Sequence, residues 1–403
     1  MTLNSNGIFK EKRRVSSRVE EVPPSGIRRF FDLASEMKGV ISLGVGEPDF
    51  VTPWNIREAC VHSLEQGYTM YTPNSGLPEL REEIAKYFSK RFNLDYDPNC
   101  EVLVTVGASE AIDLALRALV EPGDEVLIPE PCFVSYKPCT IFAGGTPVTL
   151  STTAQSGFKI KPEDIITKIT PKTKILLLSY PCNPTGASYS YQELLELAGV
   201  VEKYDLLVIS DEIYSELTYD GFKHYSFASL PNMKERTIVH NGFSKAFAMT
   251  GWRIGFAAGN ENIISAMTKI HQYSIMCAPI MGQKAAVEAL RNGLPAMNEM
   301  VAEYEKRKRL IVSGLRDMGL SCIDPQGAFY VFPSIKETGL TSEEFAEMLL
   351  REEKVAVVPG TAFGECGEGH VRCSYAASTG NIIEALNRMR RLLGRLNPKV
   401  MSL

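Results

Sequence analysis

The chain has 403 residues, 44% of them hydrophobic and 23% charged, with a formal net charge of −5. That length suffices for a large core shared between two domains. The acidic balance gives no general reason to expect a nucleic-acid partner, and no apolar run approaches the roughly 20 residues of a membrane-crossing helix.

The first residues, "MTLNSNGIFKEKRRVSSR", are polar and basic with no apolar centre. They read as a flexible arm over 1–16 and not as a secretory signal. "PPSGIRRFFDLASEMKGVISLGVGEPDF" then reads as a turn, a short helix, a strand and a second turn, and 17–52 are assigned to the N-terminal part of a small domain. From about 53 to 260, amphipathic helices alternate with β-branched runs bounded by Gly and Pro. "EVLVTVG", "DEVLIPEP", "TKILLLSYPCNPTG", "YDLLVISDEIY" and "RTIVHNGFSK" are short apolar strands that end in polar loops. Strands of this kind separated by helices predict an α/β large domain over 53–282, with a mostly parallel sheet covered by helices. A long helical stretch over roughly 279–317 leads to "QGAFYVFP", "KVAVVPG" and "HVRCSYA", the material of a smaller α+β domain over 283–403.

Nine cysteines without a CxxC pair, odd in number, argue for free thiols in a reducing cytosol. The five histidines show no HExxH spacing, so no protein metal site is expected. The GxGxxG and GxxxxGK[ST] patterns are absent, which sets aside dinucleotide and P-loop chemistry.

In open α/β sheets, ligands bind beyond the carboxyl ends of the strands. Those ends carry Ala108 and Ser109, Asn183, Asp211 with Tyr214, and Ser244 with Lys245. Singly, each has a plain reading: NPTG as a turn, Asp211 as a helix cap, Lys245 as solvated surface. Together they suit the parts of one cofactor. Pyridoxal phosphate needs a lysine for its aldehyde, a carboxylate for its pyridine nitrogen, and hydroxyls, backbone N–H groups and a guanidinium for its phosphate. Lys245 heads the apolar run "KAFAMTGWR", which closes on Arg253. The run is expected as a helix docked on the sheet, and desolvation beside a second cation would activate the lysine.

"SYPCNPTG", "VISDEIY", "NGFSKAFAMTGWRIGF" and "GHVRCSYA" resemble class I aminotransferases of the fold type I pyridoxal-phosphate enzymes, and the likeness runs through nearly the whole chain. "PSGIRRFFD", "KHYSFASL" and "AVVPGTAFGECGEGHVR" resemble archaeal aromatic and prokaryotic aspartate aminotransferases in particular. The resemblance implies that Lys245 forms the Schiff base and shuttles the proton. It pairs Asp211 with the pyridinium nitrogen, sets Tyr214 and Asn183 on the ring oxygen, and stacks Phe133 on the ring. Ala108, Ser109, Ser244 and Arg253 would hold the phosphate, with Tyr71 reaching the phosphate of a neighbouring subunit in a homodimer. Arg372 would clamp the substrate α-carboxylate, assisted by Gly46 and Asn183.

A cytoplasmic enzyme is therefore expected, moving an amino group from an amino acid to a 2-oxo acid such as 2-oxoglutarate by a ping-pong route. Some aspartate-preferring relatives carry a lysine at the place of Ser109, so aromatic donors are favoured and aspartate is the alternative. Arg28 is the candidate to receive a second carboxylate. Another reaction on the same scaffold, such as β-elimination, would share the lysine, aspartate and arginine. A ligand-sensing regulator is the third reading; such proteins carry a DNA-binding module ahead of the fold, where only about fifteen polar residues stand here.

Overall fold

Helix ends in this chain follow local chemistry. The helix Pro78–Phe92 opens on a proline, whose missing N–H costs nothing in the first turn, and stops at Asn93 in the left-handed region with φ 54°. A reciprocal capping box of Ser190 and Glu193 starts Tyr191–Lys203, and one of Thr341 and Glu344 starts Ser342–Glu353. The computed structural model describes residues 14–24, 26 and 37–396. Most of the expected N-terminal arm, most of the short helix expected after Pro24, and Arg28 lie outside them.

The main sheet has seven strands: β2 (Val102–Thr105), β3 (Glu125–Glu130), β4 (Thr146–Ser151), β5 (Thr173–Ser179), β6 (Leu207–Asp211), β7 (Thr237–Gly242) and β8 (Gly255–Ala258), in the order β2-β8-β7-β6-β5-β3-β4. All neighbours are parallel except β8, which runs antiparallel to both β2 and β7. Helices cover both faces, as expected for an α/β domain. The helix Ala108–Leu119 buries Ala111, Ile112, Leu114, Ala115 and Leu116 in one apolar cluster with Ile128, Ile209 and Ile238 of the sheet. On the other face, Leu194, Leu197 and Val201 of Tyr191–Lys203 pack with Leu176, Leu178 and Val208. Two strands were missed in the sequence, β4 and β8; the latter is Gly-Phe-Ala-Ala, of low strand propensity.

The N-terminal strand β1 (Ile41–Ser42) pairs in parallel with β10 (Val355–Ala356), so the start of the chain joins its last third. There β11 (Val358–Pro359), β12 (Val371–Ser374) and β9 (Tyr330–Val331) form a small antiparallel sheet beside the helices Leu294–Arg316, Ser342–Glu353 and Thr379–Leu396. The single long helix expected over 279–317 is instead two, Ile280–Asn292 and Leu294–Arg316, broken at Gly293. Pro295 explains the break: it has no N–H to donate backwards, and its ring excludes the preceding turn. The first helix packs on Trp54–Glu65 and Pro78–Phe92, the second on Thr379–Leu396. The expected boundary at 282/283 thus falls inside a helix.

Candidate active site

Four parallel strands end in one direction and deliver their next residues to one cleft of about 610 Å³. Asp211 is the last residue of β6, Asn183 follows β5, Phe133 follows β3, and Ser244 and Lys245 follow β7. Reversed β8 contributes from its start, where Arg253 enters it. Gly46, Ala108, Ser109, Phe133, Asn183, Asp211, Tyr214, Ser244, Lys245, Arg253 and Arg372 all line this cleft. Tyr71 does not; it stands 80% exposed elsewhere on the surface.

The segment after Lys245 is not the expected helix. It is a series of turns with Ala248 and Arg253 at φ 52° and 56°, closed by a short 3₁₀ turn at Thr250–Trp252. Its apolar side chains are nonetheless buried: Ala246, Phe247, Ala248 and Met249 enter the main core. That burial pins the backbone on which Lys245 stands, while its amine opens into the cleft. Lys245 Nζ donates to the Gly46 carbonyl at 2.5 Å. Burial lowers its pKa to about 8; Glu47 and Asp211 oppose the shift, and the cations Arg372 and Arg253 add to it.

Asp211 is buried, accepting from Tyr136 Oη at 2.7 Å and from the Ile213 N–H at 3.2 Å. Burial raises its pKa to about 6, against the pull of those two donors. Arg372 is buried too. Its Nη1 donates to Asn183 Oδ1 at 2.8 Å and its Nη2 to the Gly44 carbonyl at 2.5 Å, while Nε has no partner among the described residues. Because Asn183 presents its oxygen to the guanidinium, its NH₂ is turned away as a donor. Tyr330, which also lines the cleft, places its ring centroid 4.4 Å from Arg372 Cζ and its hydroxyl 2.8 Å from Tyr214 Oη.

Residues 38–389 match the profile of the family described as aminotransferase class I and II. The chain belongs to this family. Among the proteins it resembles are YugH of Bacillus subtilis, 58% identical over 379 residues (94% of this chain, 98% of the relative), and an aspartate aminotransferase of Pyrococcus abyssi, 50% identical over 381 residues with the same coverage. The crystal structure of an aromatic aminotransferase from Pyrococcus horikoshii superposes with a TM-score of 0.88 at 46% identity, over 93% of this chain and 100% of that one. This chain is thus a pyridoxal-phosphate-dependent aminotransferase of fold type I.

The aminotransferase's donor set fits that cofactor. Helix Ala108–Leu119 begins in the cleft, and its first N–H groups have no intrahelical acceptor. The hydroxyls of Ser109 and Ser244 and the Arg253 guanidinium stand around the same end, a set suited to a phosphate dianion. Behind it, Glu110 Oε2 accepts from the Val106 N–H at 2.5 Å and Glu110 Oε1 meets His271 Nδ1 at 2.7 Å, which fixes the turn before the helix. The carboxylate of Asp211 lines the cleft, ready for a ring N–H, and Arg372 Nε is an unmet buried donor.

The sequence reading did not single out Tyr136, Glu47 or Tyr330. Tyr136 stands three residues after Phe133 in "CFVSY", a signal that could have found it. The described residues contain no group of His, Cys, Asp and Glu that could hold a metal, and no helix long and apolar enough to cross a membrane.

Proposed function

We propose that the enzyme transfers the amino group of an amino acid, aromatic donors favoured, to a 2-oxo acid such as 2-oxoglutarate. One observation carries the donor reading. Among the described residues the only cations lining the cleft are Lys245, Arg253 and Arg372. Each has a task in the shared chemistry, so among the described residues none is left for a second carboxylate; that of 2-oxoglutarate is assigned to Arg28, which lies outside them. Val45, Ile112 and Tyr330 instead offer a donor side chain apolar and aromatic walls. Ser109, where a lysine would favour a distal carboxylate, is neutral. Aspartate remains the second reading because of the likeness to the P. abyssi enzyme named for it.

Pyridoxal phosphate, held by Lys245, supplies an electron sink for the bond-breaking at the substrate α-carbon. Ala108, Ser109, Ser244 and Arg253 would bind its phosphate, and Phe133 would pack against its ring. Asp211 keeps its ring nitrogen protonated, and Tyr214 and Asn183 donate to its ring oxygen. Arg372 grips the α-carboxylate in a planar fork, with Gly46 and Asn183 beside it. That grip holds the α-carbon within reach of Lys245 Nζ, which takes and returns the proton there.

We further propose a homodimer. Tyr71 is exposed together with Tyr68, Met70, Tyr273 and Met276, and Asn74 ties this region together by donating to the Met276 carbonyl. Exposed apolar groups clustered this way favour a partner surface. The nine unpaired cysteines support a cytoplasmic setting. The two-part division of the chain is retained, with the boundary moved to Gly293.

The test is a pair of kcat/KM values, for tyrosine and for aspartate, with 2-oxoglutarate as acceptor. Tyrosine should be used at least as well. A hundredfold preference for aspartate, about 2.7 kcal/mol, would leave aspartate aminotransferase standing instead.

A further inference from the structure

We propose that Tyr330 is a positioning residue that sets the proton affinity at Lys245 through Tyr214 and backs the guanidinium of Arg372. The inference rests on the function proposed above and deepens it.

Three groups of the site meet around this one phenol. Its hydroxyl and that of Tyr214 are 2.8 Å apart, so one donates to the other. Its ring backs Arg372 Cζ at 4.4 Å, with Phe363 against the same carbon at 4.8 Å. Its oxygen also touches the backbone that Lys245 uses: a Cβ on residue 46 would stand 2.6 Å from Tyr330 Oη, and the Gly46 carbonyl accepts from Lys245 Nζ. Glycine at 46 is the condition for that approach. As a core filler a phenylalanine would serve, and the chain places one next door: Phe329 packs on Tyr214 and Tyr304 without a hydroxyl. The tyrosine oxygen at 330 has its partner in the cleft.

The consequence is a donor chain. Tyr214 has one proton. If it turns that proton towards the cofactor's ring oxygen, its own oxygen must accept, and Tyr330 is the donor beside it. A hydroxyl that accepts a hydrogen bond is itself a stronger donor. A stronger donor to the ring oxygen favours its anionic form and so eases proton loss from the lysine nitrogen joined to the cofactor. The charged groups facing this cluster are Glu47, Asp211, Arg253 and Arg372; all are unchanged by a substitution at 330.

The experiment is a pH titration of the visible absorbance of the cofactor-loaded enzyme, with steady-state kinetics alongside. Tyr330→Phe should raise the midpoint by roughly half a unit to one unit, the worth of one neutral hydrogen bond. Tyr214→Phe should move it further the same way. In Tyr330→Phe the ring still backs Arg372, so KM for the amino acid should stay near the wild-type value; Tyr330→Leu should raise both midpoint and KM. A Tyr330→Phe midpoint equal to wild type, while Tyr214→Phe shifts, would overturn the proposal even if thermal stability falls. A wild-type protein with no visible band would instead remove the function on which it rests.

Discussion

Arg253 reaches back over Gly107. Its Nη2 lies 3.4 Å from the Val106 carbonyl, and a Cβ on residue 107 would stand 2.5 Å from that same nitrogen. Gly107 also has φ 78°, a backbone state that L side chains rarely adopt. Gly107→Ala should therefore displace the guanidinium from the helix start. One lost bond to a charged group is worth about 1.5–3 kcal/mol, so cofactor affinity should fall roughly 10- to 100-fold, read by equilibrium dialysis of pyridoxal phosphate. Unchanged affinity with a lowered Tm would remove Arg253 from the phosphate site.

Lys245 reacts with an aldehyde only as the free amine. With its pKa lowered to about 8, the rate of cofactor uptake by the apoenzyme should rise with pH and level off above about 8. An ordinary lysine would keep climbing towards 10.5. Stopped-flow absorbance reads the profile. Lys245→Ala should fold, lack the visible band, and yield no borohydride-reduced adduct.

Asp211 is shifted in the opposite direction, yet its contribution also grows with pH. Its pKa is raised to about 6, so it carries a proton below that pH and a charge above it. Affinity for pyridoxamine phosphate, which forms no bond to lysine, should drop as pH falls through 6. The cofactor's own phosphate titrates in the same range, so Asp211→Asn is the reference: its curve should lack the component due to the carboxylate. Turnover in that variant should fall roughly 10²-fold or more, as when one preorganised electrostatic group is lost. Superimposable calorimetric curves for the two proteins would contradict the assignment.

Tyr71 tests the assembly. Tyr71→Phe should weaken cofactor binding by about 1.5–3 kcal/mol in a protein that light scattering shows to be a dimer. A fully active monomer would count against both the interface and the role of Tyr71.

Arg372→Lys should lower kcat/KM for every donor alike, since lysine cannot reproduce the planar fork. A loss confined to one donor class would place Arg372 in the side-chain pocket.

What could be read in the sequence was whatever a strand end displays. Asp211 and Lys245 follow apolar runs, and the sheet brings such ends together whatever the details of packing. Tyr330 and Tyr136 could not be found that way, because their partners Tyr214 and Asp211 lie 116 and 75 residues off, and no local pattern encodes such pairs. "KAFAM" has good helix formers, yet Ala248 and Arg253 take positive φ because burial of Phe247 and Met249 outweighs a helix propensity of about a few tenths of a kcal/mol per residue. The helical period runs straight through Gly293 and Leu294, so only Pro295 hinted at the break. Tyr71 rests on resemblance alone, and none of the described residues gives it a polar contact in the cleft.

Because β8 runs against its neighbours, Gly242 and Gly255 are partners on one rung of the ladder. Phe243 and Ile254 extend that rung through a bond from the Phe243 N–H to the Ile254 carbonyl at 3.2 Å. Everything between them, including Ser244, Lys245 and Arg253, is an excursion that leaves and rejoins the sheet at one point. The two glycines thus set the register of the strands, while the buried Ala246, Phe247, Ala248 and Met249 of the excursion hold the lysine's own backbone in place. A library confined to 246–252 would sample the lysine's surroundings while both of its anchoring glycines stay where they are.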